Sequence, residues 1–117
     1  MSIERINSLD VDTIKSYIKE LNLECSDRAL EAGSYAIQLK FTNKFASISP
    51  LNSEVFEYVS DKMAVNRKVV DRLIKEFRVA FMNHPLVASL LFEVESQKIT
   101  TSFVLHVCSI YVAKRYS

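Results

Sequence analysis

The stretch Leu51–Asn83, LNSEVFEYVSDKMAVNRKVVDRLIKEFRVAFMN, decides the fold of this chain. It contains neither Gly nor Pro, and its apolar residues recur at intervals of three, four or seven. This spacing aligns them on one side of helical structure, so the stretch predicts either one long amphipathic helix or two shorter ones. The aligned residues are Phe56, Val59, Met63, Val70, Leu73, Phe77 and Ala80.

Composition narrows the class of fold. The chain has 117 residues, of which 49% are hydrophobic and 25% are charged, values typical of a globular domain with its own core. Gly occurs once and Pro twice, which argues against an all-β barrel and against a glycine-rich phosphate loop. We therefore expect one helix-rich α+β domain over residues 1–117.

The N-terminal part predicts helix. Ser8 or Asp10 can cap a helix that continues to about Leu23, because the apolar residues in between follow the helical period. A second, shorter helix is expected over residues 26–32, with Ser26 as its cap and Gly33 just past its end.

From Ser34 onward the pattern changes to a period of two. Apolar side chains occupy every second position through residues 35–41, which predicts a half-buried strand. Residues 42–44 can form a turn around Asn43, and residues 45–49 a returning strand. A β-hairpin is therefore expected, followed by Asn52 as the cap of the central helical stretch.

The C-terminal third allows two interpretations. The sequence Asn83-His84-Pro85 predicts the end of a helix. Beyond it, residues 87–95 and 99–107 can form two strands, but residues 104–115 fit a closing helix equally well because the apolar run has no clear period. The predicted architecture is an N-terminal helix, a β-hairpin, a central helix-turn-helix or one long helix, and a short β/α C-terminal segment.

Positive charge is concentrated in the central stretch. Residues 62–78 carry six bases against two acids, and residues 1–35 carry seven acids against four bases, within a chain whose net charge is +1. A local basic face can bind a polyanion. The same charges can instead form a solvated helix face with internal ion pairs.

Residues 56–75, FEYVSDKMAVNRKVVDRLIK, resemble the helix-turn-helix of DNA-binding regulators. That motif is a twenty-residue unit in which apolar residues at the fourth, eighth, tenth, fifteenth and eighteenth positions, and a small residue at the fifth, pack two helices together. The ninth position departs from the motif, because a Gly is usual there, at a turn that often needs positive φ, and Ala64 costs about 1 kcal/mol or more in that conformation. The matching residues are Val59, Met63, Val65, Val70, Leu73 and Ser60.

The resemblance implies that Asn66 caps the second helix and that this helix presents its polar face to the major groove of double-stranded DNA. Arg and Lys suit this role because they bond guanine edges and also neutralise phosphates. The DNA-binding residues that we predict are Lys62, Asn66, Arg67, Lys68, Arg72, Lys75 and Arg78.

One unbroken helix is the alternative. The apolar positions of the central stretch also fit a heptad seam with a single polar member, Asn66. Such a rod would span roughly 45–50 Å at 1.5 Å per residue and would need a partner helix or a second subunit to cover its seam. Val65 distinguishes the two arrangements, since it is buried at the turn of a broken helix and lies off the seam of a rod.

The sequence offers little for catalysis. Cys25 and Cys108 are far apart, and His106 with Cys108 supplies only two of the four ligands of a zinc site. We predict no catalytic residue, no metal site and no cofactor, and two reduced thiols. The longest uncharged run, residues 99–113, is shorter than the ~20 residues of a membrane-spanning helix, and the N-terminus does not resemble a signal peptide, so we expect a cytoplasmic protein without membrane contact.

Two functional hypotheses follow. The first is a small DNA-binding protein that acts as a dimeric transcriptional regulator, because two recognition helices on two half-sites compensate for the modest affinity of one. The second is a dimeric protein-interaction module, an adaptor, chaperone or inhibitor, that is built on a long central helix and holds a protein partner.

Overall fold

The computed structural model describes residues 10–42, 53–85 and 101–116. Those ranges contain five α-helices and no strand, so the predicted α+β fold is wrong for the described part of the chain. The helices are α1 (Val11–Lys19), α2 (Asp27–Thr42), α3 (Ser53–Met63), α4 (Arg67–Met82) and α5 (Thr101–Tyr116).

Helix α2 is the centre of the domain and packs against each of the other four helices. It begins at the predicted cap, where the Ser26 hydroxyl accepts from the backbone N–H of Ala29 at 3.1 Å. It does not end at Gly33, and the first strand of the predicted hairpin is helical throughout. The second strand, residues 45–49, and the proposed cap Asn52 lie outside the described residues.

The strand predicted over residues 35–41 is wrong because other helices pack around α2. No residue from Ala29 to Leu39 is exposed, since helices contact α2 on several sides. A helix buried on most of its circumference has no polar stripe, and its sequence then loses the period of 3.6. Through residues 35–39 the polar or small positions are buried or half-buried as well as the large apolar ones, and Ala36 is fully buried, so the alternation in the sequence does not mark an exposed side.

Helix α1 is shorter than predicted. Asp10, one of the two predicted caps, accepts from the backbone N–H of Thr13 at 2.7 Å. The helix ends at Lys19, and the chain then turns through Asn22, whose φ is +54°, a left-handed conformation that Asn tolerates better than most residues. Ile14 and Ile18 are fully buried and fix α1 to the core.

The central stretch is two helices, so the predicted rod is wrong. Helix α3 ends at Met63, Ala64 follows with a φ of +56°, and α4 begins after Asn66. The Val65 N–H donates to the Ser60 carbonyl at 3.1 Å, the long bond of a Schellman turn with Ala64 in its left-handed position. The Asn66 side chain caps α4 by accepting from the Val69 N–H at 3.0 Å, as the sequence predicted.

The C-terminal segment is the closing helix of the two predicted alternatives. Helix α5 includes residues 101–107, so a strand over that part of residues 99–107 is wrong, while residues 87–95 lie outside the described ranges. Helix α5 packs against α1, α2 and α4, and it buries Cys108 and Val112 completely. Arg115 then joins the end of α5 to Glu20 at the end of α1, through bonds of 2.8 and 3.0 Å.

None of these five helices is both long enough and apolar enough to cross a lipid bilayer.

Candidate nucleic-acid interface

Helix α4 has one buried side and one cationic side. Its buried side chains form a continuous stripe along the helix and belong to the core. The opposite side carries exposed bases, because the sequence places Lys or Arg at the positions between the apolar ones. The buried residues are Val70, Leu73, Ile74, Phe77, Ala80 and Phe81.

The structure brings the predicted DNA-binding residues to one region of α3 and α4. Most of them are exposed, on the last turn of α3, at the cap of α4 or on its outer side. Arg78 differs, because it is half-buried and makes further contacts within the protein. The exposed members are Lys62, Asn66, Arg67, Lys68, Arg72 and Lys75.

Two of these cations lie over aromatic rings of α3. The Arg67 guanidinium is 5.6 Å from the centroid of the Phe56 ring, and the Lys62 ammonium is 5.6 Å from that of Tyr58. Such contacts contribute about 0.5–1 kcal/mol at exposed sites. They hold Arg67 and Lys62 close to the body of the domain, on the α3 side of α4.

Tyr58 is in turn fixed by α2. Its hydroxyl donates to the Gln38 side-chain oxygen at 2.7 Å, and its ring meets the Tyr35 ring edge-on, with centroids 6.4 Å apart. Partial burial raises the pKa of the Tyr58 hydroxyl above its ordinary value. The phenol therefore stays neutral and keeps its proton for the bond to Gln38.

Lys75 has a partner on its own helix. Its ammonium is 3.0 Å from the Asp71 carboxylate, an i,i+4 pair in which both side chains are largely exposed. An exposed pair of this kind contributes only about 0.3–0.5 kcal/mol and weakens with salt. The pair neutralises part of the positive charge in the second turn of the helix.

Glu76, the other acid of α4, faces the protein. Its carboxylate accepts from the backbone N–H of Ser26, at the N-terminus of α2, where the helix dipole favours negative charge. Its charge is thereby directed away from the outer side of α4. Sequence reasoning missed this contact, because Ser26 and Glu76 are 50 positions apart and no local pattern links them.

The exposed side of α3 is acidic. Glu54, Glu57 and Asp61 are all exposed, one turn apart along the helix, and sequence reasoning did not weigh them as part of the site. A polyanion approaching the domain would be repelled from this side and attracted to α4. The basic surface therefore comprises the last turn of α3 with Lys62 and the beginning and outer side of α4.

Two hollows flank the basic surface. The smaller, about 340 Å³, lies where α3 and α4 diverge and is lined by Phe56, Arg67, Lys68 and Asp71. The larger, about 680 Å³, lies between the α1–α2 turn and the C-terminal half of α4. Its lining includes Lys75 and Val79, and the Val79 side chain is 50% exposed.

The thiols and the other titratable groups do not form a reactive cluster in the described ranges. Burial raises the pKa of the Cys108 thiol well above its ordinary value, and burial together with the nearby Glu76 raises that of Cys25. Both cysteines are free thiols. In the described part of the chain, no three His, Cys, Asp or Glu side chains come close enough to hold a metal ion.

Comparison of the chain with family models, with curated proteins and with solved structures gives no match, so its function has to be argued from the residues of this surface.

Proposed function

We propose that this protein binds double-stranded DNA through the outer side of α4 and acts as a dimeric regulator of transcription. The observation that carries the proposal is the pair of helices α3 and α4, which are separated by a turn at Ala64. Helix α4 buries its apolar side in the core and exposes Lys68, Arg72 and Lys75 on the opposite side. A helix with side chains is about 10–12 Å wide, and the major groove of B-DNA is about 12 Å wide, so a helix exposed in this way can enter it.

The charges of α4 favour an anionic partner. Five bases and two acids lie between Arg67 and Met82, and one of the acids, Glu76, is directed to α2. Bases on one side of a short helix neutralise several phosphates at once, and the release of counterions then drives binding. The acidic side of α3 adds orientation, because it disfavours any complex in which the duplex crosses Glu54 and Glu57.

Dimerisation is part of the proposal for an energetic reason. One helix in one groove makes few contacts, whereas two helices on half-sites about 34–36 Å apart double them within one complex.

The alternative of a protein-interaction module depended on one long central helix, and the turn at Ala64 removes that support.

The proposal is tested by fluorescence anisotropy of a labelled 20-base-pair duplex of random sequence, titrated with the full chain at several salt concentrations. We expect binding at low salt that weakens steeply, with a slope of about −0.9 in log K against log salt for each phosphate neutralised. The Lys68→Ala/Arg72→Ala variant should bind far more weakly, because it loses two exposed cations of the surface that faces the duplex.

A matched control removes the same two charges elsewhere. Arg28 on α2 and Lys114 on α5 are exposed and lie off the α3–α4 unit. The Arg28→Ala/Lys114→Ala variant has the same net charge as the test variant, and it should bind almost as the unaltered chain does. Absence of binding at low salt, or equal losses in the two variants, would refute the proposal.

A further inference from the structure

The bases of the α3–α4 unit differ in how firmly the protein itself holds them. Lys62 and Arg67 lie over aromatic rings, Lys75 pairs with Asp71, and Arg78 is half-buried. Lys68 and Arg72 are exposed, and neither takes part in an ion pair, a side-chain hydrogen bond or a ring contact with any other described residue. Within the part of the chain that the structure describes, no group occupies their donors.

Lys68 and Arg72 also point away from the core. At about 100° per residue, the stripe of buried side chains on α4 has its centre almost opposite Lys68, and Arg72 lies about 40° to one side of that opposite line. They are one turn apart, so their side chains extend next to each other from the first half of the helix. Lys75 lies about 20° to the other side of the same line, but its ammonium pairs with Asp71. A duplex that accepts α4 in its major groove therefore meets Lys68 and Arg72 as the cations of this side without a partner among the described residues.

The hydrogen-bonding groups that are available on the outer side of α4 favour one of the four DNA bases. Adenine is read by Asn or Gln, but the Asn66 oxygen already accepts from the Val69 N–H as the cap of α4. Cytosine is read by Asp or Glu, but Asp71 pairs with Lys75 and Glu76 bonds to Ser26. The available groups are pure donors, and guanine is the base whose major-groove edge carries two acceptors, O6 and N7.

We propose, on the basis of the function proposed above, that Lys68 and Arg72 determine sequence specificity by donating to guanine O6 and N7. Lys62 and Arg67, which are held beside α3, bind phosphates at the edge of the groove and set the depth of α4. The preferred duplex therefore contains guanine at the positions opposite Lys68 and Arg72, and the phosphate contacts carry no base preference.

The test uses a duplex selected from a random pool by the full chain, compared with the same duplex in which every guanine is replaced by 7-deazaguanine. That base keeps its Watson–Crick pairing and O6 but has C–H in place of N7. We expect selected duplexes to share guanines, and the unaltered chain to bind the 7-deazaguanine duplex roughly 5-fold or more weakly. This ratio should fall to about one in Lys68→Ala/Arg72→Ala.

Two controls separate base reading from charge. Lys75→Ala should weaken binding to both duplexes equally and preserve the ratio. Arg28→Ala/Lys114→Ala should bind both duplexes almost as the unaltered chain does and also preserve the ratio. Binding of both duplexes with equal affinity by the unaltered chain would overturn the guanine inference and leave the DNA-binding function intact. Failure to bind any duplex of the pool at low salt would overturn both.

Discussion

The ring of Phe77 on α4 packs directly against the backbone of Gly33 on α2. A Cβ atom at position 33 would lie 2.7 Å from Cγ and Cδ2 of that ring, closer than nonbonded carbon atoms approach. Phe77 is fully buried, and Cγ is the ring atom nearest the backbone, so the ring cannot move away easily. The one glycine of the chain thus sets the distance between the central helix and the helix that we propose to bind DNA.

Replacing this glycine should destabilise the protein. In Gly33→Ala the new methyl group forces Phe77 out of its position, at a cost of about 1–3 kcal/mol for overpacking, which exceeds the gain of about 1 kcal/mol in helix propensity. Urea unfolding monitored by circular dichroism should show a lower midpoint. Gly33→Ala/Phe77→Leu should lose less stability than the sum of the two single variants, and strict additivity would contradict the contact.

The turn at Ala64 should improve with glycine. Ala64 has a φ of +56°, a conformation that costs an L-residue about 1–2 kcal/mol and that Gly adopts without this cost. Part of the stability gained with Gly is lost again, because Gly has greater conformational entropy in the unfolded chain. We expect Ala64→Gly to raise the free energy of unfolding by about 0.5–1 kcal/mol. The control Ala32→Gly, in the buried interior of α2, should lower it. A lower free energy of unfolding in Ala64→Gly than in the unaltered chain would contradict the positive φ at this position.

The cap of α4 should be measurable by itself. Asn66→Ala removes the bond to the Val69 N–H and should cost about 1 kcal/mol of stability, while Asn66→Ser keeps a capping oxygen and should cost a few tenths at most. Thermal unfolding of the three proteins tests this order. Equal unfolding midpoints for the unaltered chain and Asn66→Ala would show that the Asn66 side chain does not stabilise α4 as its cap.

The ion pair between α1 and α5 should make stability depend on acid pH. The bonds from Arg115 hold the pKa of Glu20 below its ordinary value of 4.5, so the folded state binds a proton less readily than the unfolded state. This contribution is complete above pH 4.5 and is lost as pH falls through the pKa of the folded state. Asp27, whose pKa the Lys15 ammonium lowers, behaves in the same way.

Glu20→Gln should therefore reduce the loss of stability between neutral pH and about pH 3, measured as the shift of the urea midpoint. The control is Glu24→Gln, because Glu24 is exposed and belongs to no ion pair among the described residues. It should leave the pH dependence almost unchanged. Equal pH dependence in all three proteins would show that the bonds between Arg115 and Glu20 do not stabilise the folded state.

The sequence predicted those features whose causes are local. The caps at Ser26 and Asn66 lie at the first residues of their helices, and side-chain chemistry at those positions is sufficient to identify them. The turn at Ala64 was implied only by the resemblance to a helix-turn-helix, and one unbroken helix remained an alternative because Ala64 stands where that motif usually has Gly. The outer side of α4 could also be predicted, since its bases alternate with apolar residues at the helical period.

The errors concern features with distant causes. Residues 35–41 of α2 were predicted as a strand because their pattern is set by helices that contact α2 from several directions, and a helical period is visible only when one side remains in water. The orientation of Glu76 toward Ser26 depends on the packing of α4 against α2, which no sequence window contains. Burial of Arg78 was missed for the same reason, since its position in the sequence does not differ from that of the exposed bases.

Amide chemical-shift mapping locates the surface that meets DNA. The full chain, labelled with ¹⁵N, is titrated at low salt with an unlabelled duplex of random sequence, and the perturbed amides are assigned. We expect the largest shifts at residues 66–75, at the cap and first two turns of α4, and little change on the exposed side of α3 around Glu57. Shifts confined to α1 and α5, or centred on the acidic side of α3, would contradict the proposed DNA-binding surface.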